Sequence, residues 1–512
     1  MELKIELEKS LKKLPRWVWI GTGTIAVYSI YRNYALNYWS RRGVKSPPGQ
    51  GPLIHAHLFN DSTMAELAKR QFDELDTNMM GLYVGTGWRI LLLQDPQLIK
   101  EVTIKNFSKF ACRFDPSDPL YGVHGPIARD FMTIVDGHRW RRLRHSTTPI
   151  MTQSKLSTML KLINAAAVTM IDNETHIGED IEVNGWCGDF TIRAILAAVF
   201  SIDPTRRDQM EKAKEVVLDL IPHENIVASL LLAIIPERIR YLFGISLYSQ
   251  SSIKYVQNWI DAALERQKEG HVSGDFMSQM LKLSIEESDK YNANVNKGFT
   301  RSEVLATSII SVAAGFETTK STLEFVVAVI ARHQDVQQRL YEHIEQMSDI
   351  TYEALRDFTY LDAVIKESMR LYSPVPINGR VCNESCTLSN GLTIDPGVSI
   401  LWYSSWIQED ESHFERANQF DPDRWCDGRE RIGQENLDDD KWGAFGEGPR
   451  SCPGQRLAMV MMKSLLVHLL RRYKVTESTK SAKVLKINFQ NQVHFLKTSA
   501  NEPILINVSP RQ

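Results

Sequence analysis

Residues 445–454 read FGEGPRSCPG, and the pattern they carry, F-x-x-G-x-R-x-C-x-G, fixes Phe445, Gly448, Arg450, Cys452 and Gly454 in one short stretch. With glycine near 7% of residues and the others at ordinary usage, a random chain of this length would hold the pattern on the order of once in ten thousand trials. Two readings compete. One is a flexible surface loop in which Cys452 is incidental; the other is a rigid backbone collar that presents Cys452 as a metal ligand, and the improbability of the pattern favours it.

Upstream, Thr300 with Glu303 three residues later makes a capping-box start, and the residues through Arg332 are apolar on nearly all sides, which predicts a long buried helix. In its middle stands AGFETT, Ala314 to Thr319. A glycine there costs about 1 kcal/mol of helix propensity, and an acid in an apolar interior is costly. Something besides stability therefore accounts for Gly315 and Glu317.

FGEGPRSCPG resembles the haem-binding loop of the cytochrome P450 superfamily, the haem-thiolate monooxygenases, in their microsomal, membrane-anchored form. Three further stretches match in the expected order: Trp140 with Arg144 in WRRLR, Glu367 with Arg370 in KESMR, and FDPDRW from Phe420 to Trp425. AGFETT falls where the family keeps its oxygen-activating helix. The resemblance runs from about residue 46 to the C-terminus and implies a mainly α fold with a minor β portion. It would form a single catalytic domain over 46–512, after an anchor and its flanks over 1–45.

The resemblance also implies the chemistry. Cys452 would be the axial ligand of haem b (iron protoporphyrin IX), as a thiolate whose pKa the iron lowers. A thiolate pushes electron density toward the iron and favours O–O cleavage. Gly448 and Gly454 would let backbone close on the sulfur, and Phe445 would shield it from water. Two buried propionates need partners, for which Arg450, Trp140, Arg144 and Arg380 are the candidates. Glu317 and Thr318 form an acid–alcohol pair suited to proton delivery, with Gly315 leaving room beside the iron. Glu367 and Arg370, at i and i+3, can pair bidentately and take in Arg424; an exposed pair is the bland alternative, and the resemblance implies a buried structural triad.

The implied activity is insertion of one oxygen atom of O2 into a lipophilic substrate, with electrons from a separate NADPH-dependent reductase. No G-x-G-x-x-G follows a strand, so no nucleotide module of its own is expected. Arg141, Arg142 and Lys441 are expected to offer the reductase positive charge, and Pro374-Val375-Pro376 with Ile377 to line a pocket near the haem. The rival reading is a haem-thiolate isomerase or dehydratase acting without external oxygen, against which the intact Glu317–Thr318 pair argues.

The remaining sequence fits. Lys plus Arg at 60 against Asp plus Glu at 62 leaves no positive excess to attract nucleic acid. Cys112, Cys187, Cys382, Cys386, Cys426 and Cys452 form no disulfide framework, and the four-residue spacing of Cys382 and Cys386 lacks a second pair to complete a zinc site. Trp17 to Tyr31, WVWIGTGTIAVYSIY, carries no charge. As a helix it spans about 22 Å, or about 34 Å if continued to Trp39 with Tyr38, Trp39, Arg41 and Arg42 at the interface. An uncleaved anchor in the endoplasmic reticulum membrane, with the catalytic domain in the cytosol, is the expectation; charges on both sides leave orientation open. A cleaved signal peptide and a buried first helix are the alternatives, and bulky residues after the run argue against cleavage. SPPGQGP, Ser46 to Pro52, marks the boundary. Beyond it, Leu82–Val84 and Arg89–Leu93 predict a hairpin about Gly85-Thr86-Gly87, and Ile226 to Ile235, stopped by Pro236, a core helix.

Overall fold

This computed structural model describes residues 24, 37–47, 64–84, 88–113, 125–220, 235, 239, 248–270, 274–426, 443–491 and 496–511. The Trp17–Tyr31 run apart from Thr24, most of SPPGQGP, the Gly85-Thr86-Gly87 turn, the Ile226–Ile235 run apart from Ile235, and Lys441 lie outside the described residues. The described elements are mostly helical, with small sheets. Contacts divide the chain into two units, one of Met1–Ile99 with Cys382–Trp402 and one of Lys100–Val381 with Tyr403–Gln512.

In the first unit, α1 (Met64–Leu75) precedes β1 (Met79–Val84) and β2 (Trp88–Leu93), which pair antiparallel from Met79 opposite Leu93 to Val84 opposite Trp88. The expected hairpin is therefore present, with its first strand begun three residues earlier than the alternation suggests. On its other side β2 pairs parallel with β3 (Ser399–Tyr403), Ile90 opposite Ser399 and Leu93 opposite Trp402. Leu91, Leu92 and Leu93 are all buried, as a strand covered on both faces requires.

The same unit corrects the expected interfacial role of Tyr38, Trp39 and Arg42, while Arg41 is exposed. Trp39 is fully buried. Its indole lies on Gly81, where a Cβ would stand 2.2 Å from Trp39 Cγ, and its Nε1 donates to the Leu82 carbonyl at 3.1 Å. The Arg42 and Arg89 guanidiniums lie 3.8 and 4.4 Å from the Tyr38 ring centroid, and Arg42 donates to Asp395 at 2.6 Å. These side chains are committed to protein, so a membrane helix cannot use them as its outer belt. Among the described residues no helix is long and apolar enough to cross a membrane.

The second unit is built around helices. Those that matter for the site are α2 (Gly137–Thr147), α3 (Gln153–Glu174), α4 (Val183–Phe200), α5 (Arg207–Leu220), α6 (Gln250–Lys268), α7 (Arg301–Arg332), α8 (Gln334–Glu345), α9 (Thr359–Leu371) and α10 (Gln455–Arg472). The helix expected from Thr300 exists with both halves of its capping box: Thr300 accepts from the Glu303 amide and Glu303 from the Thr300 amide. α4 is apolar nearly all round and starts on Glu182, whose carboxylate accepts from the amides of Asn184 and Gly185 at 3.0 and 2.6 Å. Hydrophobic on every side, it must be covered on every side, and it packs against both α7 and α3. A small antiparallel sheet of Ile181–Glu182, Leu505–Pro510 and Tyr473–Glu477 borders this core.

Candidate active site

The Cys452 loop is held by its backbone. Gly446 and Gly448 take positive φ, 72° and 68°, which side chains resist. At Gly448 a Cβ would also stand 2.2 Å from the Thr103 carbonyl oxygen. At Gly454 it would stand 3.8 Å from Cys452 Sγ, an ordinary contact. The clearance the motif needs is thus for a neighbouring backbone at Gly448, a correction to the expectation that both glycines make room for the sulfur. The Cys452 amide donates to the Phe445 carbonyl at 2.8 Å and closes the loop directly before α10. Burial raises the Cys452 thiol above its usual value, opposed by the amides of Gly454 and Gln455 and by the charges of Arg113 and Arg144.

Cys452 opens on a cavity of about 310 Å³. Of the residues singled out in the sequence, Trp140, Arg144, Gly315, Thr318, Phe445, Arg450 and Gly454 also line it, while Glu317, Arg380 and Gly448 do not. Pro374 and Val375 line it as expected; Pro376 and Ile377 do not, and Asn378 does. Apolar side chains from α4, α7 and α10, among them Ile195, Ile310 and Met461, supply much of the wall.

Four arginines converge on the loop. Arg450 donates to the carbonyls of Ala111, Met132 and Val135 at 3.0, 3.2 and 2.8 Å, and its guanidinium lies 4.3 Å from the Trp140 centroid. Arg113, which belongs to no motif, donates to the Arg450 carbonyl at 2.9 Å and holds its buried Nε without a hydrogen-bond partner among the described residues. Arg144 reaches Ser451 Oγ at 3.5 Å. Burial first, and then the Arg113 charge, pulls both Arg380 and Arg450 down to about 9. So much desolvated positive charge calls for a buried anion. A thiol under backbone amides, an apolar chamber and these arginines together fit an iron porphyrin with two carboxylates.

In α7 the Thr318 hydroxyl donates to the Ala314 carbonyl at 2.8 Å, one turn back, and faces the cavity. The Glu317 carboxylate pairs with Lys320 at 2.9 Å. A Cβ on Gly315 would stand 2.2 Å from Ile195 Cδ1. The glycine thus gives Ile195 room where α7 crosses α4, and it also lines the cavity.

The family model for cytochrome P450 matches residues 46–502. This chain belongs to the cytochrome P450 family. It is 24% identical to cytochrome P450 3A14 of Cavia porcellus over 90% of both chains. It is 25% identical to cytochrome P450 3A29 of Sus scrofa over 97% of this chain and 96% of that one. To the probable cytochrome P450 6a14 of Drosophila melanogaster it is 27% identical, over 87% and 90%. Like its family, this P450 is a haem-thiolate monooxygenase that uses O2, a lipophilic substrate and electrons from a separate redox partner.

In this P450 the Glu367–Arg370–Arg424 triad is assembled and fully buried at its centre. Arg370 donates twice to Glu367, at 2.9 and 2.8 Å, and Arg424 Nε donates to Glu367 at 3.3 Å. Trp425 Nε1 and the Asp421 amide also donate to Glu367, at 2.9 and 3.0 Å, while Arg370 donates to the carbonyls of Gln408, Ala417 and Gln419. With its oxygens and protons so used, the buried pair meets the condition under which such pairs persist. It fastens α9, whose Met369 lines the cavity, to the Pro422–Trp425 turn.

Arg142 is not a docking charge. It is buried, donating to Glu303 at 2.7 and 2.9 Å and to the carbonyls of Gly298 and Lys290. Arg139, also paired with Glu303, and Asp130 and Lys290 complete an ionic cluster that ties α2 to the start of α7. Arg141, next along α2, is exposed. Arg113 and the Glu303 and Lys290 side of this cluster carry no local sequence signal, because their partners Arg450, Arg142 and Asp130 come from segments more than a hundred residues away.

Proposed function

We propose that Cys452 ligates the iron of haem b, that Arg113, Arg144, Arg380 and Arg450 with Trp140 hold its propionates, and that Thr318 and Glu317 deliver protons. The observation that carries this reading is Cys452 at the cavity wall, with Arg113, Arg144, Arg450 and Trp140 lining the same cavity and burial pulling Arg380 and Arg450 down to about 9. Bound haem would supply the activation of O2 and transfer of one oxygen atom to substrate.

The chain's own residues supply the setting. Backbone amides at the start of α10 favour the thiolate over the thiol. Thr318, its proton directed to Ala314, keeps its oxygen lone pairs free to accept a hydrogen bond from a molecule in the cavity. Apolar walls exclude water and select lipophilic substrates. Arg141 stays as the exposed charge for an NADPH-dependent reductase, and the Trp17–Tyr31 run is the anchor in the endoplasmic reticulum membrane, with the catalytic part in the cytosol.

The test is spectroscopic. Purified, haem-loaded protein is reduced under carbon monoxide, and a red-shifted Soret band characteristic of thiolate ligation is expected. A band at the position given by histidine ligation, or an unchanged band in Cys452→Ser, refutes the assignment.

A further inference from the structure

Lys320 is buried, yet no motif accounts for it. Lysine is rarely buried unless paired. Its ammonium lies 2.9 Å from Glu317, with side chains only 8% and 15% exposed, and 5.1 Å from the Phe316 ring centroid. Its stem runs along Gly188 of α4, where a Cβ would stand 3.3 Å from Lys320 Cδ. Neighbouring positions on a helix point in different directions, and here the difference separates the acid from the alcohol. Thr318 lines the cavity; Glu317 does not.

We propose that Lys320 is a positioning residue that latches the Glu317 carboxylate on the α4 side of α7, so that Glu317 can pass a proton toward Thr318 only when the pair opens. This rests on the proton-delivery role proposed above and adds a restraint to it. The other titratable groups near Lys320 are Glu324 one turn on, Glu182 at the start of α4 and the buried Cys187 thiol. Glu324 accepts from Asn184 Nδ2 at 2.8 Å and from the Ala500 amide at 3.4 Å, so its oxygens are engaged elsewhere. Glu317 is thus the acid that the structure gives Lys320 to hold.

The latch has a consequence without substrate. The wasteful reaction is NADPH + H⁺ + O2 → NADP⁺ + H2O2, in which two electrons pass from NADPH through the reductase to oxygen and each oxygen atom takes up a proton. An unlatched carboxylate would feed those protons too readily. Full-length, haem-loaded protein with an NADPH-dependent reductase and no substrate is the assay. Lys320→Met is expected to raise NADPH consumption and peroxide release several-fold over wild type, and Glu317→Gln added to it is expected to abolish that rise. If Lys320→Met does not load haem, Lys320→Gln is read in its place.

Thermal unfolding gives a readout independent of turnover. Each single variant leaves a buried partner charge uncompensated and should lower Tm by a few degrees, whereas the double variant should recover most of that loss. An unchanged peroxide rate in Lys320→Met, the same rise in a Glu317→Gln background, or strictly additive losses in Tm would overturn the latch. A wild-type protein that shows no thiolate signature or takes no electrons from the reductase would instead overturn the reading on which it rests.

Discussion

Gly448 and Gly454 belong to one motif and answer to different neighbours. Gly448→Ala sets a methyl against the Thr103 carbonyl, which is backbone and cannot swing away, at a φ of 68°. The strained φ alone costs about 1–3 kcal/mol, so this variant is expected to lose haem binding and thermal stability together. Gly454→Ala meets the sulfur at 3.8 Å and should keep both; absorbance of the carbon monoxide adduct and a melting curve compare the two. The motif singles out Cys452 while leaving the reasons for its glycines unreadable, because Thr103 is distant in the chain. Arg113 was illegible for a related cause: one arginine among many has no pattern until folding places it beside the Cys452 loop. Arg142 looked like surface charge because its neighbours in sequence are charged, whereas its partner Glu303 is 161 residues away.

At the level of elements, α7 was legible because a capping box and a long apolar run are local signals. Its crossing with α4 was not. Gly315→Ala gains about 1 kcal/mol of helix propensity and moves Ile195 off its rotamer at a cost of about 0.5–1.5 kcal/mol. Melting should therefore barely change, while the displaced Ile195, itself a cavity residue, should alter spin-state titrations with lipophilic compounds. On the same helix, burial raises the Glu324 carboxyl from 4.5 to about 6. The unfolded chain ionises first as pH rises, so stability falls between those values and the full cost, about 2 kcal/mol, stands at pH 7. Glu324→Gln should raise Tm at pH 7, by an amount that shrinks toward pH 4.5. The triad fastening α9 tells in the other direction. Glu367→Gln leaves Arg370 and Arg424 buried without their acid and should cost about 3–5 kcal/mol, read as a lower urea midpoint and poor haem retention.

For the whole molecule, the first question is where a membrane segment would have to end. Charge and aromaticity made residues 38–42 look interfacial, but Trp39 and Arg42 are spent on the first unit. Deleting residues 1–36 should release the protein from carbonate-washed membranes with Tm and haem content unchanged. Deleting 1–45 also removes a fully buried tryptophan, worth about 3–5 kcal/mol, together with the Lys45 carbonyl that receives the Gly81 amide, and should melt far earlier. A second consequence concerns time. Arg450 gathers the carbonyls of Ala111, Met132 and Val135, the first of them 339 residues earlier in the chain. At a ribosome's pace of about 5–20 residues per second, those carbonyls wait roughly 17 to 68 s for the guanidinium that will clasp them. The collar around Cys452 therefore cannot close during synthesis until residue 450 has been made, and the nascent protein cannot hold its cofactor in that collar any earlier.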